Sequence, residues 1–137
     1  MTDPQAVARA AADAMWANDA ASRGLGMALD SVGPGRAVLS MTVADSMVNG
    51  HGMCHGGFIF ALADSAFAFA CNSHGDAAVA QHGAITFIRP GRRGERLTAE
   101  AIERVSQGRS GLYDVRVTGE DGSVVAEFRG HSRIIGR

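Results

Sequence analysis

A chain of 137 residues with 46% hydrophobic and 20% charged residues is the size of one folded domain, far from the polar, highly charged mix that stays disordered. A formal net charge of −1 supplies no field to hold a polyanion, which argues against a nucleic-acid binder. All 13 basic residues are arginine, and without lysine a Schiff base or a P-loop is excluded. The charge is uneven: residues 1–88 carry three Arg against seven Asp, and residues 89–137 carry ten Arg against seven Asp and Glu. A local anionic ligand therefore suits the C-terminal half. Met1 to Gln5 hold no basic stretch before an apolar run, and the strongest apolar run, 58–71, is about 14 residues with Asp64 inside it. Cys54 and Cys71 are too few for a disulfide framework. The expectation is a cytoplasmic protein that neither binds nor spans a membrane.

Asp3 before Pro4 reads as an N-cap with proline at the first helical position, and Val7, Ala11, Met15 and Trp16 recur at helical spacing. A helix is predicted over 5–22, stopped by Gly24 and Gly26. Residues 27–32 and 37–43 alternate as short strands about the turn Gly33-Pro34-Gly35, a hairpin. The run 58–71 is apolar on every face, which predicts a helix enclosed on nearly all sides. Four further runs, 77–89, 96–106, 111–118 and 123–135, are separated by Pro90-Gly91, Gln107-Gly108 and the turn 119–122, and predict an antiparallel meander. One enclosed helix and about six antiparallel strands make an α+β protein, a sheet wrapped around a central helix with an N-terminal helix beside it.

Between Asp45 and Asp76, histidines apart, Asp64 is the only acidic or basic residue, and it sits in the middle of the apolar helix. A lone carboxylate there costs several kcal/mol unless it is neutral, hydrogen-bonded or facing a cavity. It is read as a general base or nucleophile, or else as a group on a polar face of the helix or paired with a buried partner across an oligomer interface. Gly56 and Gly57 precede the helix, where unpaired backbone N–H groups could polarise a carbonyl, or the glycines could only shape the loop. Asn49 could donate to the same oxygen or cap the loop. His51, Cys54 and His55 invite a metal reading, but Gly52 stands where a zincin helix has Glu, so no metal is expected. Cys54 with His55 as base is weaker still, because adjacent side chains point different ways.

The stretch Asn49-Gly50-x-Gly52-x-x-His55-Gly56-Gly57, then Asp64, then 84–91 (Ala-Ile-Thr-Phe-Ile-Arg-Pro-Gly), resembles the hotdog-fold thioesterases, and within them the phenylacetic-acid-degradation branch. The resemblance spans nearly the whole chain and implies a single hotdog domain over 1–137. It also implies hydrolysis of an acyl-CoA, with phenylacetyl or hydroxyphenylacetyl as the acyl group, to free acid and CoA without metal or cofactor. By position, the Gly56 N–H would polarise the thioester carbonyl, with Gly57 beside it and His55 and Asn49 ordering the pocket or bonding the acyl group. Asp64 would activate water or attack directly. Some branches carry a Ser or Thr where Ala68 and Ala80 stand here, which leaves Ser65, Ser73 or Thr86 to orient the water. The CoA phosphates would fall to Arg89, Arg92, Arg93 or the Gly108-Arg109 turn. Hydration or dehydration of an acyl-CoA and non-catalytic acyl-CoA binding are the alternatives.

Gly56 and Asp64 are eight residues apart, about 12 Å along a continuous helix. One carbonyl cannot be served by both, so a homodimer or a multiple of one is expected with sites between subunits, and the resemblance implies a homotetramer built as a dimer of dimers as the further alternative.

Overall fold

The computed structural model describes residues 3–136. Asp3 accepts from the Gln5 N–H and Pro4 opens helix α1 (Pro4–Asn18), as predicted. The helix does not continue to residue 22. The Asp19 N–H closes α1 on the Trp16 carbonyl, while the Asp19 side chain accepts from Ser22 N to open a second helix, α2 (Ala20–Gly24). One aspartate caps both, so the single predicted helix is corrected to two.

Strands β1 (Ala28–Gly33) and β2 (Arg36–Thr42) form the expected hairpin. Its turn requires Gly35, which has φ +69° and an added Cβ only 2.9 Å from Cβ of Glu103. After a 3-10 turn (Asp45–Met47) the chain enters α3 (Gly56–Cys71), two residues earlier than predicted, and β3 (Ala77–Phe87), β4 (Arg96–Gln107), β5 (Ser110–Thr118) and β6 (Val124–Gly136) follow. The six strands form one antiparallel sheet in the order β1-β2-β4-β5-β6-β3.

The predicted four-strand meander is corrected to three strands, β4-β5-β6, because β3 lies at the far edge against β6. Neighbours in sequence are neighbours in a sheet only about two-thirds of the time. Here the end of α3 sets the outcome: Asn72 Nδ2 donates to the Ala78 carbonyl at 3.0 Å and Asn72 Oδ1 accepts from Ala78 N at 2.9 Å. That clamp starts β3 beside the helix C-terminus.

The sheet wraps α3, whose Ile59, Leu62, Ala63, Ala66, Phe67, Phe69 and Ala70 are buried with Leu39, Met41, Leu97, Val115 and Val117. Each large side chain so buried stabilises the fold by about 2 kcal/mol. Gly130 lets the sheet approach, since a Cβ there would lie 2.8 Å from the Phe67 ring. The opposite side of α3 differs from the predicted enclosure: Gly57 is exposed, and Ala61, Asp64 and Ala68 are only half-buried. A curved antiparallel sheet gripping one long helix, with α1 packed on β1, is the hotdog fold expected from the sequence. Among the described residues no helix is long and apolar enough to cross a membrane.

Candidate active site

The loop before α3 is built by Asn49. Its Oδ1 accepts from His51 N at 2.9 Å and from Met53 N at 3.2 Å, and its own N–H donates to the Met53 carbonyl at 2.8 Å. The amide oxygen is thereby used within the loop, and among the described residues the amide nitrogen meets no acceptor. Bridges from Met53 to Arg92 and from Val48 to Cys54, with Cys54 N donating to the Gly91 carbonyl at 2.9 Å, staple the loop to the β3–β4 connection.

His55 is the N-cap of α3: its Nδ1 accepts from Gly57 N at 2.9 Å. Nδ1 as acceptor assigns the ring proton of the neutral imidazole to Nε2. The Gly57 N–H is thus occupied, and the Gly56 N–H, at the first helical position, meets no acceptor among the described residues. A free N–H in the first turn, with the helix dipole behind it, is a donor for a developing oxyanion. Beside it an apolar hollow of about 390 Å³ is lined by Met53, Gly56, Ile59, Phe87, Ile88 and Pro90, among others. The Phe87 ring roofs the glycine, so a Cβ at Gly56 would lie 2.9 Å from it.

Asp64 stands on the same unbroken helix, on the half-covered face, and no hydrogen bond or ion pair holds its carboxylate among the described residues. Burial pushes its carboxyl above the ordinary aspartate range. The helix arithmetic therefore stands, at about 12 Å between the two groups.

The other candidates separate. Cys54 is buried, its thiol faces the His55 carbonyl at 3.6 Å, and desolvation raises its pKa, so no thiolate is on hand for attack. Cys71 is pushed up to about 12 by burial and then by Asp64. No group of three or more metal-ligating side chains converges among the described residues. Ser65 Oγ lies 2.7 Å from Ser22 Oγ, which itself donates to Asp19 Oδ2 at 2.7 Å, so the Ser65 proton goes to Ser22 and ties α3 to α2. Ser73 donates to the Ala70 carbonyl and accepts from Gly35 N. Thr86 lies on the outer sheet face beside Arg116 and Glu127. Sequence reasoning passed over Ser132, a buried hydroxyl directly across the ladder from Ala80. Its partner strand could be placed only once β3 was known to pair with β6.

Arg89, a sequence candidate for the CoA phosphates, is held within the fold. Its Nε donates to Ser123 Oγ at 2.8 Å, Nη1 to the Pro90 carbonyl at 2.7 Å and Glu95 Oε1 at 3.0 Å, and Nη2 to Glu95 Oε2 at 2.7 Å with Asp121 at 3.5 Å. Four hydrogen bonds and the nearby Asp121 hold the guanidinium, and the Arg89–Glu95 pair is 16% and 9% exposed, so Arg89 braces the fold. The bidentate contact holds Glu95 down at about 2. Arg92 and Arg93 are the exposed cations at the Gly56 end of α3. Gly108 and Arg109 lie in the β4–β5 turn at the opposite end, where Arg109 Nη1 donates to the Ile134 carbonyl at 3.1 Å. Gly108 takes φ +61° in that turn. Within one chain the structure unites Asn49, His55, Gly56 and Gly57, leaves Asp64 about two turns away, and puts Gly108 and Arg109 beyond the far end of the helix.

Residues 51–126 match the Thioesterase superfamily. The chain belongs to this superfamily and is a thioester hydrolase of the hotdog fold. It is 49% identical over 125 residues, 91% of this chain and 89% of the relative, to the acyl-coenzyme A thioesterase PaaI of Escherichia coli (strain K12). The solved structure of the E. coli PaaI protein, from the phenylacetic acid degradation operon, superposes with a TM-score of 0.96 at 46% identity, covering 98% of this chain and 97% of that one. A mutant structure of the phenylacetic acid degradation protein PaaI from Thermus thermophilus matches with a TM-score of 0.82 at 38% identity, over 85% of this chain and all of that one (100%).

Proposed function

We propose that the protein hydrolyses an acyl-CoA, with an arylacetyl group such as phenylacetyl or hydroxyphenylacetyl, to the free acid and CoA in the cytoplasm. The observation that carries the reading is the pairing of a free Gly56 N–H at the head of α3 with a desolvated carboxylate, Asp64, on the same helix. The PaaI names of its relatives, with their acyl-CoA and phenylacetic acid wording, favour this acyl group and this carrier.

The thioester carbonyl oxygen accepts the Gly56 N–H, with the Asn49 amide beside it. Such a donor is worth about 3 kcal/mol as negative charge develops on that oxygen. Asp64 takes a proton from the attacking water, the tetrahedral intermediate collapses, and CoA thiol leaves. The roles need neither metal nor cofactor. The aryl group fits the hollow under Phe87, and Arg92, Arg93 and Arg109 are the cations for the phosphates.

Gly56 and Asp64 come from two copies in this reading. The β3 edge, Ala77–Phe87, is unpaired on its outer side and nearly all exposed, and Val79, Phe87 and Ile88 are 45%, 49% and 58% exposed. A long open edge is a pairing surface unless it is covered. A two-fold axis there pairs β3 with β3 and sets the two α3 helices side by side and antiparallel, so each Gly56 faces the other copy's Asp64. Gly108 and Arg109 of one copy then approach the Gly56 end of the other.

Thiol release over a panel of acyl-CoA esters tests the reading. Turnover highest on arylacetyl-CoA supports it, and turnover confined to hydration of an enoyl-CoA would refute it.

A further inference from the structure

His82 and His131 face each other across the β3–β6 ladder, with ring centroids 5.2 Å apart and planes at 83°. A break in register makes this pair. Ala78, Val79 and Ala80 pair in step with Ile134, Arg133 and Ser132, and continuing that register would set Gln81 opposite His131. The shift between Ala80 and His82 removes Gln81 from the ladder and brings His82 opposite His131, both on the outer face of the sheet. A bulge re-aims a side chain at a cost in ladder hydrogen bonds, and its result here is two imidazoles on one surface.

We propose that His82 and His131 form a binding site for one divalent transition-metal ion of the zinc type, on the outer face of the sheet and separate from the hydrolytic centre. The spacing argues for it directly. A zinc-to-nitrogen bond of about 2.05 Å puts the metal roughly 3.2 Å from each ring centroid, so two imidazoles at a tetrahedral angle have centroids about 5.2 Å apart. The backbone sets the two residues directly opposite each other and the rings stand at about this separation, so rotation about the side-chain bonds can aim one nitrogen of each at a shared point. Both rings are exposed, so an ion reaches them from solvent and water fills the other two positions.

The surroundings favour nitrogen coordination over simple charge attraction. The hollow next to His131 is lined by Val105, Gln107, Ser110, Gly111 and Leu112, none of them a carboxylate. On the same face of β6, Arg129 is neutralised by Asp114 at 2.7 and 2.9 Å, and Arg133 is exposed and opposes a cation. Mg²⁺ and Ca²⁺, which favour carboxylate oxygens, find no carboxylate lining this hollow among the described residues, whereas Zn²⁺, Ni²⁺ and Cu²⁺ accept imidazole. A bound ion would also fasten the open edge strand β3 to β6.

Calorimetric titration of the metal-stripped protein with Zn²⁺ tests the site, with thermal melting as a second readout. The native protein should bind close to one ion per chain and melt at a higher temperature with Zn²⁺ present. His82→Gln and His131→Gln should each weaken binding roughly tenfold or more, because each removes one arm of the chelate. Both variants should keep native thiol release, and His51→Gln, an exposed histidine elsewhere, should keep Zn²⁺ binding. Absence of saturable binding, or undiminished binding in both single variants, overturns the proposal.

Discussion

Gly57 gives its N–H to Nδ1 of His55 at 2.9 Å, and this one bond decides which of two adjacent glycines can meet a substrate. With Gly57 occupied, the free donor at the head of α3 is Gly56. In the proposed reaction His55 acts through the cap, by fixing where the helix begins. His55→Ala should lower stability by about 1 kcal/mol and reduce kcat, while His55→Asn, which can still cap, should recover most of both. Equal losses in the two variants would mean that the imidazole itself contacts the substrate.

Asp64 is half-buried and carries no partner among the described residues, and burial raises its carboxyl pKa. In the proposed reaction Asp64 is the base and must be ionised, so kcat/KM should fall as pH drops through a value above the ordinary aspartate pKa of about 3.9. A raised pKa in the folded state has the opposite sign for stability. The protonated form is the one the fold favours, so Asp64 contributes stability at acid pH that is lost as pH rises through its folded pKa. Asp64→Asn should therefore cut kcat at least roughly 10²-fold and melt no lower than the native protein at pH 7. A variant that retains turnover removes Asp64 from the chemistry.

The Arg89–Glu95 pair makes the reverse case. Glu95 is held down at about 2, chiefly by its hydrogen bonds from Arg89, so its contribution is full above the unfolded glutamate pKa and is lost below it as pH falls through the folded value. Removing one partner strands a mostly buried charge. Glu95→Gln should cost about 2 kcal/mol, lowering Tm by roughly 5–10 °C, with the deficit shrinking towards pH 2. Arg89→Ala should impair a CoA ester and a truncated thioester alike. A KM defect confined to the CoA ester would restore Arg89 as a phosphate ligand.

Ser65 spends its proton on Ser22 at 2.7 Å. Ser65→Ala should cost about 1 kcal/mol of stability by freeing α2, and leave kcat within about threefold. A drop of two orders of magnitude would make Ser65 the hydroxyl that orients water.

The elements legible in the sequence were those whose signal is local. Asp64 stood out as the one charge in an apolar run, α3 followed from that run being apolar on every face, and the six strands followed from alternation between glycine turns. What stayed hidden depends on partners distant in sequence or on one residue with two roles. Asp19 ends one helix and starts another, which alanine-rich periodicity on both sides conceals. β3 pairs with β6 because Asn72 clamps Ala78. Arg89 looked like a free cation until Glu95 and Ser123, the latter 34 residues on, took its donors. The role of His55 became visible only with the helix starting at Gly56, since capping depends on that starting point.

The central claim is that each active site takes Gly56 from one copy and Asp64 from the other. Gly56→Pro deletes the N–H at a position where proline suits a helix start. Gly56→Pro and Asp64→Asn should each be nearly inactive alone. Co-expressed with different tags and purified as the mixed dimer, they form one site with both groups intact and one with neither. Thiol release per mixed dimer at about half the native rate is the predicted result, and a mixed dimer as inactive as either parent would contradict a site shared between copies.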